Sequence, residues 1–354
     1  MPVSPDPYPL HAMQALPTPP DVHGGPDQHG VPLHDFSTNS NACGPCPTAL
    51  IAVQAADATR YPDPRYVALR ESLADFHDVD ADRIVVAASA SEFIFRITAA
   101  VAQRGCRKVF LPACSYGDYA TAAHAWQLPV QRSLPVSDDE TTPLIWRCDP
   151  SSPLGQADDG LPALIDRLGS DAVCVVDLAY TPLRLTGLPG LYPRRLDRVW
   201  QLWTPNKALG LTGIRAAYAI APSIPTDLAV TVGRLAPSWP VGAHGVAMLE
   251  SWVQPEIRQW IAESLVTLGR WKESQRSLCA AMGWHCLLSA TNFFCARPPV
   301  DSVDALCRAF RLQGIKLRDT TSFGLPHHVR LATLPPPSQS ALYETWQSVA
   351  LAAR

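Results

Sequence analysis

Short apolar runs alternate with amphipathic segments along the first two thirds of the chain. The apolar runs predict strands at 84–86, 108–111, 144–147, 172–176, 199–203 and 214–220. Apolar residues recur every three or four positions from about Arg65, and helices are predicted at 92–103 and 117–126. Buried strands separated by helices favour a mainly parallel sheet covered on both faces. The sequence therefore predicts the α/β fold class.

The hydrophobic pattern changes after about Gly242. A long helical tract runs to about Met282, and strand-like pieces follow at 292–294 and 329–331. These elements predict a second, smaller α+β domain. The expected division is an N-terminal arm (1–43) that packs with the small domain, a large domain (44–245) and a small C-terminal domain (246–354). Seven prolines among the first twenty residues favour an extended arm.

Composition excludes several classes of function. The net charge of −3 is not concentrated in a basic run, so nothing favours nucleic-acid binding. No apolar stretch is long enough for a membrane span. The first twenty residues do not resemble a secretory signal, and the ten cysteines form no regular framework. We therefore expect a cytoplasmic protein that binds neither nucleic acid nor membrane.

Three features follow predicted strands, where ligands bind in parallel α/β sheets. Asp177 follows the run AVCVV, Lys207 follows VWQLW, and Ser89-Ala90-Ser91 follows IVVAA and opens a helix. Each alone is commonly a cap, a loop residue or a solvated lysine. Together they are what pyridoxal 5′-phosphate needs: a lysine for the Schiff base, a carboxylate for the pyridine nitrogen, and helix amides for the phosphate.

Six motifs in order give the chain a specific resemblance. They are DFSTNSNACGP (35–45), RYPD (60–63), PACSY (112–116), DLAY (177–180), NKALGLTGIR (206–215) and RDTTSFGLP (318–326), the last followed by Arg330. The chain resembles the class I and II aminotransferases, in particular the subfamily of histidinol-phosphate aminotransferase and threonine-phosphate decarboxylase. The resemblance implies a fold type I enzyme with a seven-stranded sheet, pyridoxal phosphate as cofactor, small amine and keto-acid substrates, and a homodimer with shared active sites.

The resemblance also implies roles for individual residues. Lys207, Asp177 and Tyr180 are expected to be catalytic; Asp177 pairs with the pyridine nitrogen, and Tyr180 reaches the phenolic oxygen. Tyr116 stacks on the ring, and Ser152 faces the cofactor. The phosphate is expected to contact Ser89, Ala90, Ser91, Thr204, Arg215 and, from the neighbouring subunit, Tyr61. The substrate is expected near Asn39, His23 and Arg330, with Arg330 binding its carboxylate.

Departures from the family pattern leave the reaction open. Ser152 stands where the family usually has Asn, and Asn206 precedes the lysine where Ser is usual. The leading hypothesis is an aminotransferase acting on an amino acid or a derived amine. His23-Gly24-Gly25 favours a decarboxylase of a phosphorylated amino acid. Ser152, together with Ala87-Ala88 in the phosphate turn that is rich in glycine in the family, suggests a pyridoxal-phosphate-binding protein with little catalysis.

One further motif suggests different chemistry. Cys43-Gly44-Pro45-Cys46 is the tetrapeptide of thioredoxin-like redox sites. Here it lies in a polar loop, whereas the redox motif follows a core strand and opens a helix. His23, His29 and His34 are nearby, but their spacing matches no known zinc pattern. We expect neither redox chemistry nor a metal.

Overall fold

The computed structural model describes residues 23–133, 143–169, 171–224 and 227–352. The strands are β1 (His34–Asp35), β2 (Ile84–Ala87), β3 (Val109–Phe110), β4 (Val130–Gln131), β5 (Leu144–Cys148), β6 (Val173–Asp177), β7 (Trp200–Trp203), β8 (Ala217–Ile220), β9 (His285–Cys286), β10 (Phe293–Arg297), β11 (Ile315–Lys316), β12 (Arg318–Asp319) and β13 (Val329–Ala332). The helices are α1 (Pro47–Gln54), α2 (Val67–His77), α3 (Ala90–Gln103), α4 (Gly117–Ala125), α5 (Leu161–Arg167), α6 (Pro193–Leu196), α7 (Asp227–Arg234), α8 (Ala243–Trp252), α9 (Pro255–Ala281), α10 (Val303–Leu312) and α11 (Pro336–Ala352).

A seven-stranded sheet forms the large part of the molecule, in the order β2-β8-β7-β6-β5-β3-β4. β8 is antiparallel to both of its neighbours, and all other pairs are parallel. Side chains of α3 and α4 pack on one face, around Trp146 and Trp200. Side chains of α5 pack on the other, around Ile145. The predicted α/β class, with a mainly parallel sheet between helices, is confirmed.

A smaller antiparallel sheet follows in the order β12-β13-β10-β9. Its core contains Phe294 and Leu331 from the strands and Phe310 from α10. The predicted α+β character of the C-terminal part is confirmed. Within the described residues, none of the helices is apolar over a length that could cross a membrane.

The single helical tract predicted from Gly242 to Met282 is wrong in one respect, because it is two helices. α8 ends at Trp252, and α9 begins at Pro255. Proline lacks the N–H that would continue α8, and it disfavours helical backbone in the residue before it. Gln254 accordingly has extended backbone angles, with φ −70° and ψ 141°.

The helix α8 crosses the expected domain boundary at 245/246. Its side chains Met248, Leu249 and Trp252 pack in the same cluster as residues of α1 and α2. The next helix, α9, begins in that cluster with Ile257 and reaches the small-domain core at Cys279. The boundary itself remains a prediction.

The described part of the N-terminal arm lies against the small domain. β1 pairs in parallel with β11, with His34 opposite Ile315. The Asp27 carboxylate accepts hydrogen bonds from Nε and Nη2 of Arg311 at 2.8–3.2 Å, and its Oδ2 is 3.1 Å from Lys316 Nζ. The Arg311 guanidinium and, to a lesser degree, Lys316 hold the pKa of Asp27 well below its usual range. Residues 1–22 of the expected arm lie outside the described residues.

Asp27→Asn is expected to lower the free energy of unfolding at pH 7 by about 1.5–3 kcal/mol, the range for hydrogen bonds to charged groups. A carboxyl whose pKa is lowered by folding stabilises the protein above its unfolded pKa of about 4, and this stabilisation is lost as pH falls. Urea denaturation should therefore show the difference between wild type and variant shrinking from about pH 5 to about pH 2.

Asp304→Asn is the matched control, because Asp304 pairs with Arg308 on an exposed helix face. Its effect is expected to stay within about 0.5 kcal/mol. An equal loss in both variants, or a difference for Asp27→Asn that does not change with pH, would contradict the role given to the arm contact.

Candidate active site

A cavity of about 460 Å³ lies at the carboxyl ends of the central strands of the large sheet. β2, β5, β6 and β7 run in the same direction, so the segments that follow them meet at one edge. The cavity is lined by twelve of the fourteen residues predicted from the sequence, namely His23, Asn39, Ala90, Ser91, Tyr116, Ser152, Asp177, Tyr180, Thr204, Lys207, Arg215 and Arg330. Its size is in the range of small-molecule sites.

Asp177, the last residue of β6, lies in the cavity wall and is buried. Its Oδ1 accepts a hydrogen bond from the Ala179 N–H at 2.9 Å, and its Oδ2 accepts one from the Tyr119 hydroxyl at 2.6 Å. Burial raises the pKa of Asp177, while these hydrogen bonds and the charge of Lys207 oppose that shift. The site thus holds a buried acid whose charge is supported by neighbouring groups.

Lys207 lies in the loop after β7, and the N-terminal segment holds that loop in place. The Asn41 N–H donates to the Lys207 carbonyl at 2.9 Å, and Asn41 Nδ2 donates to the Ala208 carbonyl at 3.1 Å. The Lys207 ammonium is 5.3 Å from the centroid of the Tyr180 ring. The amine and this aromatic ring therefore share one side of the cavity.

The side-chain oxygen of Asn39 is a hydrogen-bond acceptor without a donor. Its Nδ2 donates to the Tyr180 hydroxyl at 3.4 Å, but its buried Oδ1 has no hydrogen-bond partner among the described residues. A buried amide oxygen without a partner costs free energy. A ligand that donates a hydrogen bond in the cavity would remove that cost.

The start of α3 forms another wall. The Ser89 hydroxyl accepts from the Glu92 N–H at 3.0 Å, so Ser89 caps the helix, and it does not line the cavity. Ala90 and Ser91 do line it, in the first turn of a helix, where backbone N–H groups have no partner within the helix. The exposed Arg215 side chain is a further lining cation. This part of the cavity suits an anion.

Asn206, which stands where the family usually has Ser, braces the lysine loop. Its Oδ1 accepts from the Thr204 hydroxyl at 2.9 Å, and its Nδ2 donates to the Ile214 carbonyl at 3.3 Å. The Thr204 hydroxyl hydrogen is therefore used within the loop. Its oxygen keeps acceptor capacity toward the cavity.

Two buried arginines also line the cavity. Arg330 donates to the Ser37 carbonyl at 3.0 Å and lies over the Phe323 ring at 5.1 Å, and its Nε has no partner. Arg318 donates to the Ser322 hydroxyl at 2.8 Å. Burial, and then the charge of Arg330, lower the pKa of Arg318 to about 10. Among the residues that the structure describes, no carboxylate forms an ion pair with either arginine.

Ser152 faces the arginines as well as the cavity. It is buried, and its hydroxyl is 3.5 Å from Nη1 of Arg330. The peptide bonds before Pro150 and Pro153 in this loop are cis. Ser152, which is shorter than the Asn usual in the family, lies beside Arg330, the expected carboxylate site. The sequence did not indicate that these two residues are neighbours.

Tyr61 lies outside the cavity of its own subunit. Its side chain is 77% exposed, and its ring stacks on Trp239 with centroids 4.4 Å apart. The Trp239 indole N–H donates to the Pro62 carbonyl at 3.0 Å, which fixes the pair on the surface. Its expected contact with the phosphate of a neighbouring subunit remains a prediction.

The Cys43-to-Cys46 tetrapeptide has little in common with a redox site. Both thiols are free, and burial raises the pKa of each. Cys43 Sγ is 3.8 Å from the Ser264 carbonyl, while Cys46 is the N-cap residue of α1. The tetrapeptide therefore does open a helix, contrary to expectation, but the described element before it is the two-residue strand β1 and not a strand of the large sheet. A raised pKa opposes the thiolate that redox exchange needs. Within the described residues, no group of three His, Cys, Asp or Glu side chains could hold a metal ion.

Sequence reasoning overlooked three contributors to this site. Arg318 belongs to the motif that pointed to Arg330, and the same motif supplies Phe323; the motif was therefore the available signal. Tyr119 does not line the cavity and reaches Asp177 across 58 positions of the chain. No local pattern reveals such a contact.

The chain is similar in sequence to known proteins. The sequence profile of the family described as "Aminotransferase class I and II" matches residues 32–344. A histidinol-phosphate aminotransferase of Halorubrum lacusprofundi is 27% identical over 320 residues, which are 85% of this chain and 84% of that protein.

Two solved structures show the same fold. Histidinol-phosphate aminotransferase from Sinorhizobium meliloti, in complex with pyridoxal-5′-phosphate, matches 88% of this chain and 90% of its own with TM-score 0.74 and 21% identity. L-threonine-O-3-phosphate decarboxylase from Porphyromonas gingivalis matches 89% of this chain and 98% of its own with TM-score 0.74 and 20% identity.

Proposed function

Because the chain belongs to the class I and II aminotransferase family, we propose that it transfers the amino group of an anionic amino acid or derived amine through Lys207. Membership confirms the resemblance read from the motifs, and it makes the chain a pyridoxal-phosphate-dependent transferase. The observation that carries the finer proposal is the cavity itself. It brings a lysine, a buried acid, a helix start and two unpaired arginines together.

The lining residues fit pyridoxal phosphate. Asp177 would hold the pyridine nitrogen protonated, and Tyr116 would cover the ring. The first turn of α3 and Arg215 would bind the phosphate. The partnerless Asn39 Oδ1 offers an acceptor beside Tyr180. When bound, the cofactor supplies an electron sink for negative charge that develops at the substrate carbon.

Lys207 would carry the proton in this reaction. Lys207 would hold the cofactor covalently until a substrate amine replaces it, and its freed amine would then be the base for the proton on the substrate α-carbon. The hydrogen bonds from Asn41 hold the backbone of the lysine loop, and the Lys207 amine lies 5.3 Å from the centre of the Tyr180 ring. A fixed lysine loop would favour proton transfer over a short distance.

The two arginines support a substrate that carries more than one anionic group. A buried charge without a partner is costly, so Arg318 and Arg330 favour ligands with a carboxylate and a second anion such as phosphate. All three similar proteins described above are named after phosphorylated substrates. We propose that Arg330 binds the carboxylate of an amino-acid substrate and that Arg318 lies beside the second anionic group. Histidinol phosphate has no carboxylate and would meet the two arginines through its phosphate.

A decarboxylase remains the second candidate, because His23 lines the cavity. The segment is packed: the Gly25 N–H donates to the Ser37 hydroxyl at 2.9 Å, and a Cβ on Gly24 would be 2.3 Å from the Ser37 carbonyl oxygen. An ordered His23-Gly24-Gly25 segment supports a phosphate contact. The third candidate, a binding protein with little catalysis, rests on the changes at Ser152 and at Ala87-Ala88.

Products distinguish these candidates. We expect the protein, loaded with pyridoxal phosphate and given 2-oxoglutarate, to form glutamate and a keto product from a phosphorylated amine such as histidinol phosphate. Release of carbon dioxide from L-threonine O-3-phosphate would instead establish the decarboxylase. If the protein binds the cofactor but forms no product from either compound or from common amino acids, the third candidate, a binding protein with little catalysis, would be favoured. Lys207→Ala should be inactive in every case.

Arg215 and Arg330 should affect different steps. Arg330→Ala is expected to lower kcat/KM by the equivalent of about 2–5 kcal/mol, the cost of removing one partner from a buried charge pair. Arg215→Ala is expected to weaken cofactor binding about tenfold. Each variant serves as the control for the other. If Arg330→Ala kept normal substrate affinity and turnover, the carboxylate assignment would be wrong.

We also propose a homodimer in which Tyr61 completes the neighbouring site. The exposed Tyr61–Trp239 stack supports it, because this large aromatic surface lies away from the subunit's own cavity. Lys207→Ala and Tyr61→Ala variants, unfolded together and refolded, should regain part of the activity. A mixed dimer would then contain one site with both residues intact. Proven mixed dimers without recovered activity would defeat the shared-site proposal.

A further inference from the structure

We propose that Tyr119, a residue that does not line the cavity, is the positioning residue for the Asp177 carboxylate. The proposal rests on the proposed function in one respect, namely that Asp177 faces the pyridine nitrogen of pyridoxal phosphate. Its substance is a single contact between a buried hydroxyl and a buried acid, 2.6 Å apart.

The Tyr119 ring is buried and packs against two other aromatic rings. Tyr119 lies in the first turn of α4 and is fully buried. Its ring stacks on Trp146 with centroids 4.5 Å apart and planes 8° apart. The edge of the Tyr116 ring meets it at 5.7 Å and 85°. Packing thus fixes the position of the hydroxyl before any ligand binds.

The hydrogen bond runs from Tyr119 to Asp177. Burial, and then the negative charge of Asp177, raise the pKa of Tyr119 well above its usual value, so the hydroxyl keeps its hydrogen. A separation of 2.6 Å is typical of a hydroxyl that donates to a carboxylate. Donation favours the charged form of Asp177 and opposes the effect of burial.

The other groups around Asp177 leave this task to Tyr119. Cys148 pairs with Asp177 across β5 and β6, and burial raises the pKa of its thiol well above the usual value, so it brings no charge. The Ala179 N–H occupies the other carboxylate oxygen. Lys207 supplies the nearby positive charge, but its amine must be free to serve the substrate. Tyr119 is therefore the side chain that donates a hydrogen bond to Asp177 without itself lining the cavity.

The consequence concerns the proton shared by Asp177 and the pyridine nitrogen. Without the Tyr119 donor, the carboxylate is a stronger base and a less stable anion, so the proton moves toward Asp177. The α4 turn would also link two functions, because Tyr116 covers the ring while Tyr119, three residues later, holds the acid. One helix turn would thus supply the residue that covers the cofactor ring and the residue that positions the acid at the pyridine nitrogen.

The test uses the full chain with three changes. Tyr119→Phe removes only the hydroxyl, and 3,5-difluorotyrosine introduced at position 119 is a stronger donor. Tyr218→Phe is the matched control, since Tyr218 is fully buried but its hydroxyl bonds His77 and Trp252 away from the cavity. The readouts are the dissociation constant of pyridoxal phosphate and the ¹⁵N resonance of its labelled pyridine nitrogen in the bound state.

We expect Tyr119→Phe to raise the dissociation constant about tenfold, as for one hydrogen bond to a charged group, and to move the resonance toward the unprotonated value. Difluorotyrosine should move the resonance toward the protonated value, or leave it there if the nitrogen is already fully protonated. Tyr218→Phe should change neither readout. If Tyr119→Phe fails to fold, the difluorotyrosine protein decides alone: a smaller dissociation constant than wild type supports the positioning role, and an unchanged or larger one overturns it.

Two negative results are distinguishable. If wild type binds the cofactor with a protonated nitrogen and Tyr119→Phe matches it in both readouts, Tyr119 only packs, and the positioning role is overturned. The same holds if a fluorinated Tyr119 binds the cofactor more weakly than wild type. If wild type itself does not bind pyridoxal phosphate, the proposed function fails, and the positioning role fails with it.

Discussion

The site depends on one constraint, which is that Asp177 carries a carboxylate at the buried end of a central strand. Burial alone would neutralise it, because a charge removed from water needs compensating partners. The Ala179 N–H and the Tyr119 hydroxyl supply two, at 2.9 and 2.6 Å. The mainly parallel sheet brings the lysine loop and the α3 helix start to the same edge. A cationic nitrogen bound there would complete the compensation.

The two arginines that line the cavity are buried charges of the opposite sign, and they too need compensating partners. Arg318 and Arg330 are buried against Phe323 without a carboxylate partner among the described residues. An anionic substrate therefore gains both hydrogen bonds and relief of an unpaired charge. The N-terminal segment contributes His23 and Gly24 to the lining, and Arg311 and Lys316 hold this segment through Asp27 and the Gly25 carbonyl. Acid, lysine and arginines thus surround one volume.

Much of this could be predicted from the sequence, for a physical reason. The central strands are continuous buried runs, so both the strands and the polar residues that follow them were visible. Two-residue strands such as β11 and β12 are too short to show an alternation of apolar and polar residues. The helix α10 was readable but overlooked: Val303, Leu306 and Phe310 are buried along one face. The contact between Tyr119 and Asp177 could not be predicted, because it depends on how α4 packs against a strand far along the chain.

The measurement that tests this account most directly is the identity of the lysine that binds pyridoxal phosphate. The chain has four lysines, and Lys272 is the chemical rival, because burial lowers its pKa to about 7. Its amine, however, donates to the Ser289 and Thr291 carbonyls, and it does not line the cavity. Borohydride reduction of the loaded protein, followed by peptide mapping, should place the pyridoxyl group on Lys207. A label on Lys272, or none with cofactor in excess, would contradict the account.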